Sequence, residues 1–220
     1  MASNEQYMKL KISEIFRSIQ GESSFMGLPC VFIRLSGCNL RCRYCDTAYA
    51  WSEGYDMPVS EIVREVLEFR CGLTLITGGE PLIQPNSTHL AQALIDLGLK
   101  TLVETNGSID ISNLPEKTIR IIDVKCPGSG EVDQFYWGNL GFLKPSDEVK
   151  FVISNRHDYE WTRNFVHQNL AVFSGQILLS AAFGKLDPKE LVSWILEDNL
   201  NVRFQLQLHK VIWEPTKRKV

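Results

Sequence analysis

Two hydrophobic periods alternate along the chain. Lys11–Phe16 and Cys30–Leu35 read as strands, and Val59–Phe69 as a helix with Ile62, Val63, Val66 and Leu67 on one stripe and Ser60 as its cap. Leu73–Thr77 is an apolar strand that runs into Gly78-Gly79. Thr88–Leu97 carries Leu90, Leu94 and Leu97 at helical spacing, with Gly98 suited to the position after its end. Lys100–Glu104, Ile119–Val124 and Glu148–Ile153 follow as strands. Asp158 to Asn169 reads as a helix and Gln176–Ser180 as a strand. A last helix is predicted from Pro188, capped by Asp187 and turning Leu191, Ile195 and Leu196 inward, before a closing strand over Val202–Leu208.

Alternation of this kind predicts an α/β fold with a largely parallel sheet covered by helices. The chain of 220 residues is shorter than the roughly 250 of a closed eightfold barrel, so a partial, open parallel β/α barrel of about six units, in one domain over 1–220, is the expectation. The stretch from Pro127 to Pro145 holds Phe135, Tyr136, Trp137 and Phe142. It is too long for a simple connection and reads as a lid or a packing loop.

Composition narrows the class without naming a chemistry. Apolar residues at 44% and charged residues at 22% are ordinary for a globular chain. A formal charge of −3 argues against a nucleic-acid surface, and Lys217-Arg218-Lys219 reads as a solvated tail. Met1-Ala2-Ser3-Asn4-Glu5 is polar and leads into no signal region, and no segment is long and apolar enough for a membrane span, so a cytoplasmic location is expected. Six cysteines in that compartment are thiols or metal ligands before they are disulfides. Cys30, Cys71 and Cys126 stand singly and read as packing residues.

The other three are grouped. Gly37-Cys38-Asn39-Leu40-Arg41-Cys42-Arg43-Tyr44-Cys45-Asp46-Thr47, within a loop at 36–47, spaces its thiols C-x3-C-x2-C. Three soft ligands on a tight loop suit three irons of a 4Fe-4S cubane and leave the fourth iron open. A structural zinc would need a distant fourth ligand, a disulfide would strand one thiol, and a ferredoxin-type carrier would close its cluster with a fourth cysteine. Further chemical residues fall at predicted strand ends: Thr77-Gly78-Gly79-Glu80-Pro81, Glu104-Thr105-Asn106-Gly107 and Asp123-Val124-Lys125. In parallel α/β folds that is where sites assemble.

The cysteine spacing, with aromatic Tyr44 before the last thiol, resembles the radical S-adenosylmethionine enzymes, and Gly78-Gly79-Glu80-Pro81 is similar to their second motif. The resemblance implies that the cofactor's methionine chelates the open iron and that its sulfonium is split to a 5′-deoxyadenosyl radical. Gly79 would admit the cofactor to the backbone, and Glu80 would accept hydrogen bonds from the methionine ammonium.

A narrower likeness, to the 7-carboxy-7-deazaguanine synthase family, rests on Glu14-Ile15-Phe16, Ser18-Ile19-Gln20-Gly21-Glu22, Phe32-Ile33-Arg34-Leu35-Ser36-Gly37-Cys38, Cys45-Asp46-Thr47, Glu104-Thr105-Asn106-Gly107 and Gln207-Leu208-His209-Lys210. That family contracts 6-carboxy-5,6,7,8-tetrahydropterin to 7-carboxy-7-deazaguanine with loss of ammonia, in queuosine biosynthesis. The resemblance implies a lyase that uses magnesium, forms a homodimer and draws electrons from a flavodoxin or ferredoxin.

Residue by residue, it implies substrate contacts at Ile19, Gln20, Gly21, Glu22, Arg34 and Thr77, magnesium at Thr47, and the cluster on Cys38, Cys42 and Cys45. Cofactor contacts are implied at Gly79, Glu80, Glu104, Asn106, Asp123, Val124, Lys125, Ser180, Ala181, Ala182 and Phe183. Some have a plainer counterpart where the residues alone are read. Arg34 is a strand arginine paired with a protein carboxylate, Thr47 a helix cap, Asn106 a turn cap, and His209 either lines the site or caps the last strand. The sequence departs from the pattern where many relatives carry Ser-Pro-Lys in place of Asp123-Val124-Lys125. It also runs on past His209-Lys210 to Val220, so no substrate role is given to that end. The competing functions are a radical activase that makes a glycyl radical on a partner protein, and a non-catalytic iron–sulfur binding module.

Overall fold

Nine strands form one open sheet in the computed structural model, which describes residues 8–220; the polar Met1–Glu5 stretch lies outside the described residues. The strands are β1 (Lys9–Ile19), β2 (Pro29–Leu35), β3 (Tyr55–Pro58), β4 (Leu73–Gly78), β5 (Lys100–Thr105), β6 (Ile119–Val124), β7 (Glu148–Ile153), β8 (Gln176–Ala181) and β9 (Arg203–Phe204). Their spatial order is β3-β1-β2-β4-β5-β6-β7-β8-β9. Every pair from β2 to β9 is parallel, while β1 runs antiparallel to both β2 and β3. Helices α1 (Val59–Glu68), α2 (Asn86–Asp96), α3 (Arg156–Asn169) and α4 (Pro188–Glu197) serve as connections, and a short α5 (Leu208–Ile212) follows β9.

The open α/β architecture agrees with expectation, but the count of about six β/α units does not describe it. The β5–β6 and β6–β7 connections contain no α-helix, and an antiparallel edge precedes the parallel run. The short, partly polar β3 showed no run of alternating positions to be read. At the other end the expected strand Val202–Leu208 shrinks to two residues. Gln205 folds inward to accept from Ser23 N, and Leu208 N bonds to Gly21 O, so the chain turns onto the loop after β1 and enters α5.

Helix starts also differ. α1 follows β3 directly, with Pro58 at its N-cap and no side-chain cap from Ser60, and α2 begins at Asn86, ahead of Thr88. α3 is capped by Asn155, whose side chain accepts from Asp158 N at 3.0 Å, so Asp158 lies inside the first turn. Asp187 caps α4 as its sequence predicts.

Period-two alternation sends strand side chains to opposite faces. Val31, Ile33, Leu35, Ile76, Val103 and Ile122 join the helix-covered core, whereas Phe32, Leu75, Leu102 and Ile121 form a smaller cluster on the inner face with Phe16 and Cys30. In β1 a bulge between Ile12 and Glu14 shifts the parity, so Leu10, Ile12 and Ile15 all reach the main core and Glu14 and Phe16 turn inward. The stretch from Pro127 to Pro145 makes three 3-10 turns. Phe135 is buried there against Trp137 and Phe165, which identifies it as packing.

Candidate active site

Just above the inner apolar layer, the same strands present polar side chains toward their carboxyl ends, Arg34 on β2, Thr77 on β4, Glu104 on β5 and Asp123 on β6, and Lys150 joins them from the middle of β7. All five line a cavity of about 620 Å³, together with Cys38, Cys42 and Cys45. Two residues of period separate Arg34, Thr77, Glu104 and Asp123 from the apolar layer, so on those four strands the pattern itself places polar groups over an apolar floor.

The cysteine loop is pinned by backbone. Gly37 turns at φ +97°, its N–H donates to Ala50 O and its carbonyl accepts from Glu80 N. A Cβ on Gly79 would stand 1.9 Å from Gly37 O and 2.9 Å from Cys38 Cβ, so only glycine allows the two loops to meet. Leu40 is buried beneath the loop, Arg41 donates to the carbonyls of Cys38 and Leu40, and Tyr44 donates to Val152 O.

Burial pushes the Cys38 thiol up and the Cys42 thiol to about 11, so both keep their protons until a metal displaces them. Among the described residues Cys38, Cys42 and Cys45 are the only cysteines on the cavity wall, and no three His, Cys, Asp or Glu side chains converge as ligands of a single ion. That donor set suits a cubane, where each thiolate takes its own iron, and not a mononuclear zinc.

Of the positions given to the cofactor, Gly79, Glu104, Asn106, Asp123, Lys125, Ala182 and Phe183 line the cavity around the cluster loop. Val124, Ser180 and Ala181 do not: Val124 packs in the main core and the Ser180 side chain is buried. Glu80 is displaced from its expected task. Its fully buried carboxylate accepts from Leu82 N, Thr105 Oγ1 and Asn106 N, knitting the ends of β4 and β5 together, and burial raises its pKa despite those bonds. The Asn106 side chain donates to Asn39 and accepts from Ser108, so it braces the cysteine loop as well as the turn.

Ile19, Gln20, Gly21, Glu22, Arg34 and Thr77 line the same cavity. Gln20 accepts from Glu22 N at 3.2 Å, and its buried Nε2 has no partner. Arg34 Nε donates to Glu14 Oε1 at 2.8 Å, the protein carboxylate that its plainer reading called for, and no hydrogen bond among the described residues takes its terminal nitrogens. Tyr49 donates to the same Glu14 oxygen at 2.7 Å.

Glu22 pairs with Lys150 at 2.5 Å and accepts from Gln207. Burial would raise its pKa, but Lys150 foremost, then His209, hold it below the usual carboxylate value. Thr47 caps nothing; its hydroxyl donates to Asp46 at 2.9 Å, and Asp46 pairs with Lys210 at 2.6 Å. Partial desolvation opposes the charge, but Lys210 keeps the half-exposed Asp46 ionised far below its ordinary range.

Several lining residues escaped the sequence reading. Lys150 is a lone cation in an otherwise apolar run, the one legible sign that a strand residue faces a site. His209, for which lining the site was one of two readings, does line the cavity, from α5 and not from a strand end, and packs against Gly21, where a Cβ would meet its Nδ1 at 2.3 Å. The supposedly solvated tail is partly docked. Arg218 stacks on Tyr49 at 3.7 Å and pairs with Glu53 at 2.9 Å, and Pro215, Thr216, Arg218 and Val220 line the cavity.

Residues 32–168 match the model of the radical SAM superfamily. The chain is 44% identical over 226 residues to a protein of Koribacter versatilis named 7-carboxy-7-deazaguanine synthase, covering 96% of this chain and 100% of that one. A protein of the same name from Chlorobaculum tepidum is 42% identical, with 96% and 97% covered. The fold is similar to the crystal structure of QueE from Escherichia coli, with a TM-score of 0.78, 20% identity, and 95% and 100% of the chains covered.

Proposed function

Because the chain belongs to the radical SAM superfamily and, within it, to the 7-carboxy-7-deazaguanine synthase family, we propose that its cavity takes 6-carboxy-5,6,7,8-tetrahydropterin to 7-carboxy-7-deazaguanine with loss of ammonia. The chain is a radical SAM lyase of 7-deazapurine biosynthesis, and neither a glycyl-radical activase nor a passive iron–sulfur module. One observation carries the placement of the chemistry: three thiols and the Gln20, Glu22 and Arg34 set line a single cavity.

Cys38, Cys42 and Cys45 would hold a 4Fe-4S cluster, which with S-adenosylmethionine would supply carbon-radical chemistry at the pterin ring. The chain's own residues bind, orient and insulate. The unpartnered terminal nitrogens of Arg34 suit a carboxylate in a bidentate pair, with Glu14 and Tyr49 fixing the guanidinium's direction. Gln20 Nε2 and the Glu22 carboxylate offer a donor and an acceptor to the amide-like edge of a pterin, with Ile19 and Gly21 beside them. Thr77 donates to Glu104 and so stands between substrate and cofactor positions.

Glu104 suits ribose hydroxyls, Gly79 leaves room at the methionine end, and Asn106, Asp123, Lys125, Ala182 and Phe183 flank the cofactor. Thr47 would offer its hydroxyl to magnesium, a hard cation that would neutralise charge on the substrate, with Asp46 as the nearby negative charge. We further propose a cytoplasmic homodimer served by a flavodoxin- or ferredoxin-type donor.

The decisive experiment is anaerobic reconstitution with S-adenosylmethionine, reductant, magnesium and the pterin, followed by mass spectrometry. Deazaguanine product is expected. 5′-Deoxyadenosine without that product would overturn the substrate. Cys42→Ala should lose the cluster's visible absorption altogether, and full loading of that variant would overturn the ligand set.

A further inference from the structure

Lys150 stands where the substrate and cofactor ends of the cavity meet. It is buried in the middle of β7, and three carboxylates from three other elements converge on its ammonium. Glu22 Oε2, from the loop after β1, lies at 2.5 Å; Glu104 Oε1, from β5, at 2.8 Å; and Asp123 Oδ2, its register partner on β6, at 3.7 Å. The second oxygens of the two glutamates are also occupied. Gln207 holds the free side of Glu22 at 2.9 Å and Thr77 that of Glu104 at 3.2 Å, while Lys125 holds Asp123 at 2.8 Å.

The result is a fixed chain of charge from Gln207 through Glu22, Lys150 and Glu104 to Thr77. The sheet does not need it for register, because β7 is already paired in parallel with β6 and β8 by backbone. Buried ion pairs of this kind add little net stability compared with apolar packing, so their presence calls for another account.

We propose that Lys150 is a positioning residue that joins the two ends of the site, holding Glu22 in place for the heterocycle and Glu104 in place for the cofactor's ribose. The proposal rests on the function given above and goes beyond it, since it makes one side chain responsible for affinity toward both ligands. Its chemistry fits that duty. Burial alone would lower its pKa, but Glu104, Glu22 and Asp123 hold it well above the ordinary lysine value, so it is a positive charge between the two glutamates. Its removal leaves Glu22 and Glu104, both half-buried, without their counter-charge on the two sides of the cavity, free to turn away or take up protons.

The test is equilibrium binding to cluster-loaded protein without reductant, so that nothing turns over. The dissociation constants of 6-carboxytetrahydropterin and of S-adenosylmethionine are measured separately for wild type, K150M, E22Q, K150M/E22Q and K150R, with circular dichroism to confirm folding. K150M should weaken each ligand about tenfold or more, the scale of a broken buried charge pair. E22Q should weaken the pterin and leave S-adenosylmethionine unchanged. Adding E22Q to K150M should cost the pterin little more, because the lysine acts on it through Glu22.

K150R keeps the charge and should recover part of both affinities, and it stands in for K150M if the latter does not fold. Loss of one ligand alone in K150M, or additive losses of pterin affinity in the double variant, would overturn the bridging role while leaving the enzyme's function intact. Failure of the wild-type protein to bind the pterin would overturn the functional reading and the proposal with it.

Discussion

Neighbouring residues on the same strands obey opposite rules. On the helix-covered face, Ile33, Ile76, Val103 and Ile122 are sealed in one apolar core. One position along, on the inner face, Arg34, Thr77, Glu104 and Asp123 line a cavity and are tied to one another or to Glu14 and Lys150. The inner face also has its own apolar layer below, from Phe16 and Phe32 to Leu102 and Ile121. That layer keeps water from beneath the charges and lets a polar site stand on a sheet without hollowing its core. Stability is therefore concentrated on one face and chemistry on the other, and the period of two residues per repeat keeps them apart.

The sharpest way to break this division is to strike both faces in the same strand. Ile33→Ala opens a cavity in the main core, where Ile33 is fully buried, and should cost roughly 3 kcal/mol in urea unfolding. Pterin binding by the protein that remains folded should change little. Arg34→Ala should do the reverse. Losing a charge-assisted carboxylate contact is worth about 1.5–3 kcal/mol, so pterin affinity should fall roughly tenfold to a hundredfold. The urea midpoint should move far less than for Ile33→Ala, because Tyr49 still donates to Glu14 and Arg218 remains 3.8 Å away. A large stability loss in Arg34→Ala with unchanged pterin affinity would show that the arginine serves the fold and that the two faces are not divided as described.

The same division explains what could be read from the sequence. The core-facing positions repeat every second residue and announce strands, so the parallel run β2 and β4–β8 was legible, as was the cysteine loop, whose ligands lie within eight residues of one another. Glu104 could be placed beside the cavity because it sits at a predicted strand end, whereas Gln20 and Arg34 were legible only through the family resemblance; all three line the cavity.

What failed were long-range partnerships. Glu80 looks free for a ligand until Thr105 and Asn106 are brought against it from β5. Lys150 has no neighbour in sequence that hints at Glu22, which lies across the sheet. The final segment misled for the same reason. Val202–Leu208 has a strand's composition, but the burial of Gln205 and the bond from Leu208 N to Gly21 O turn the chain into α5, and this puts His209 and Lys210 on the cavity wall.

That wall supplies the smallest effect and the finest test of the comparison. A face built for chemistry should contain groups whose ordinary charge it opposes, and His209 is one. Burial lowers its pKa, and the opposing pull of Glu22 and Asp46 does not restore it, with Lys210 and Lys150 adding repulsion. The folded protein thus prefers the neutral imidazole. Above about pH 6.5 the unfolded chain is neutral there too and the residue has no pH-dependent effect. As pH falls below that value the unfolded chain takes a proton that the folded chain resists, so stability is lost down to the folded pKa, at no more than about 1.4 kcal/mol for each pH unit.

Urea midpoints of wild type and His209→Asn, compared between about pH 7.5 and about pH 5.5, isolate the contribution, because Glu80, Asp147 and Glu148, whose carboxyls burial raises, are common to both. Wild type should lose more stability than the variant over that window. Equal losses would mean that this part of the wall imposes no cost on the fold, and that the separation of stability from chemistry is confined to the strands.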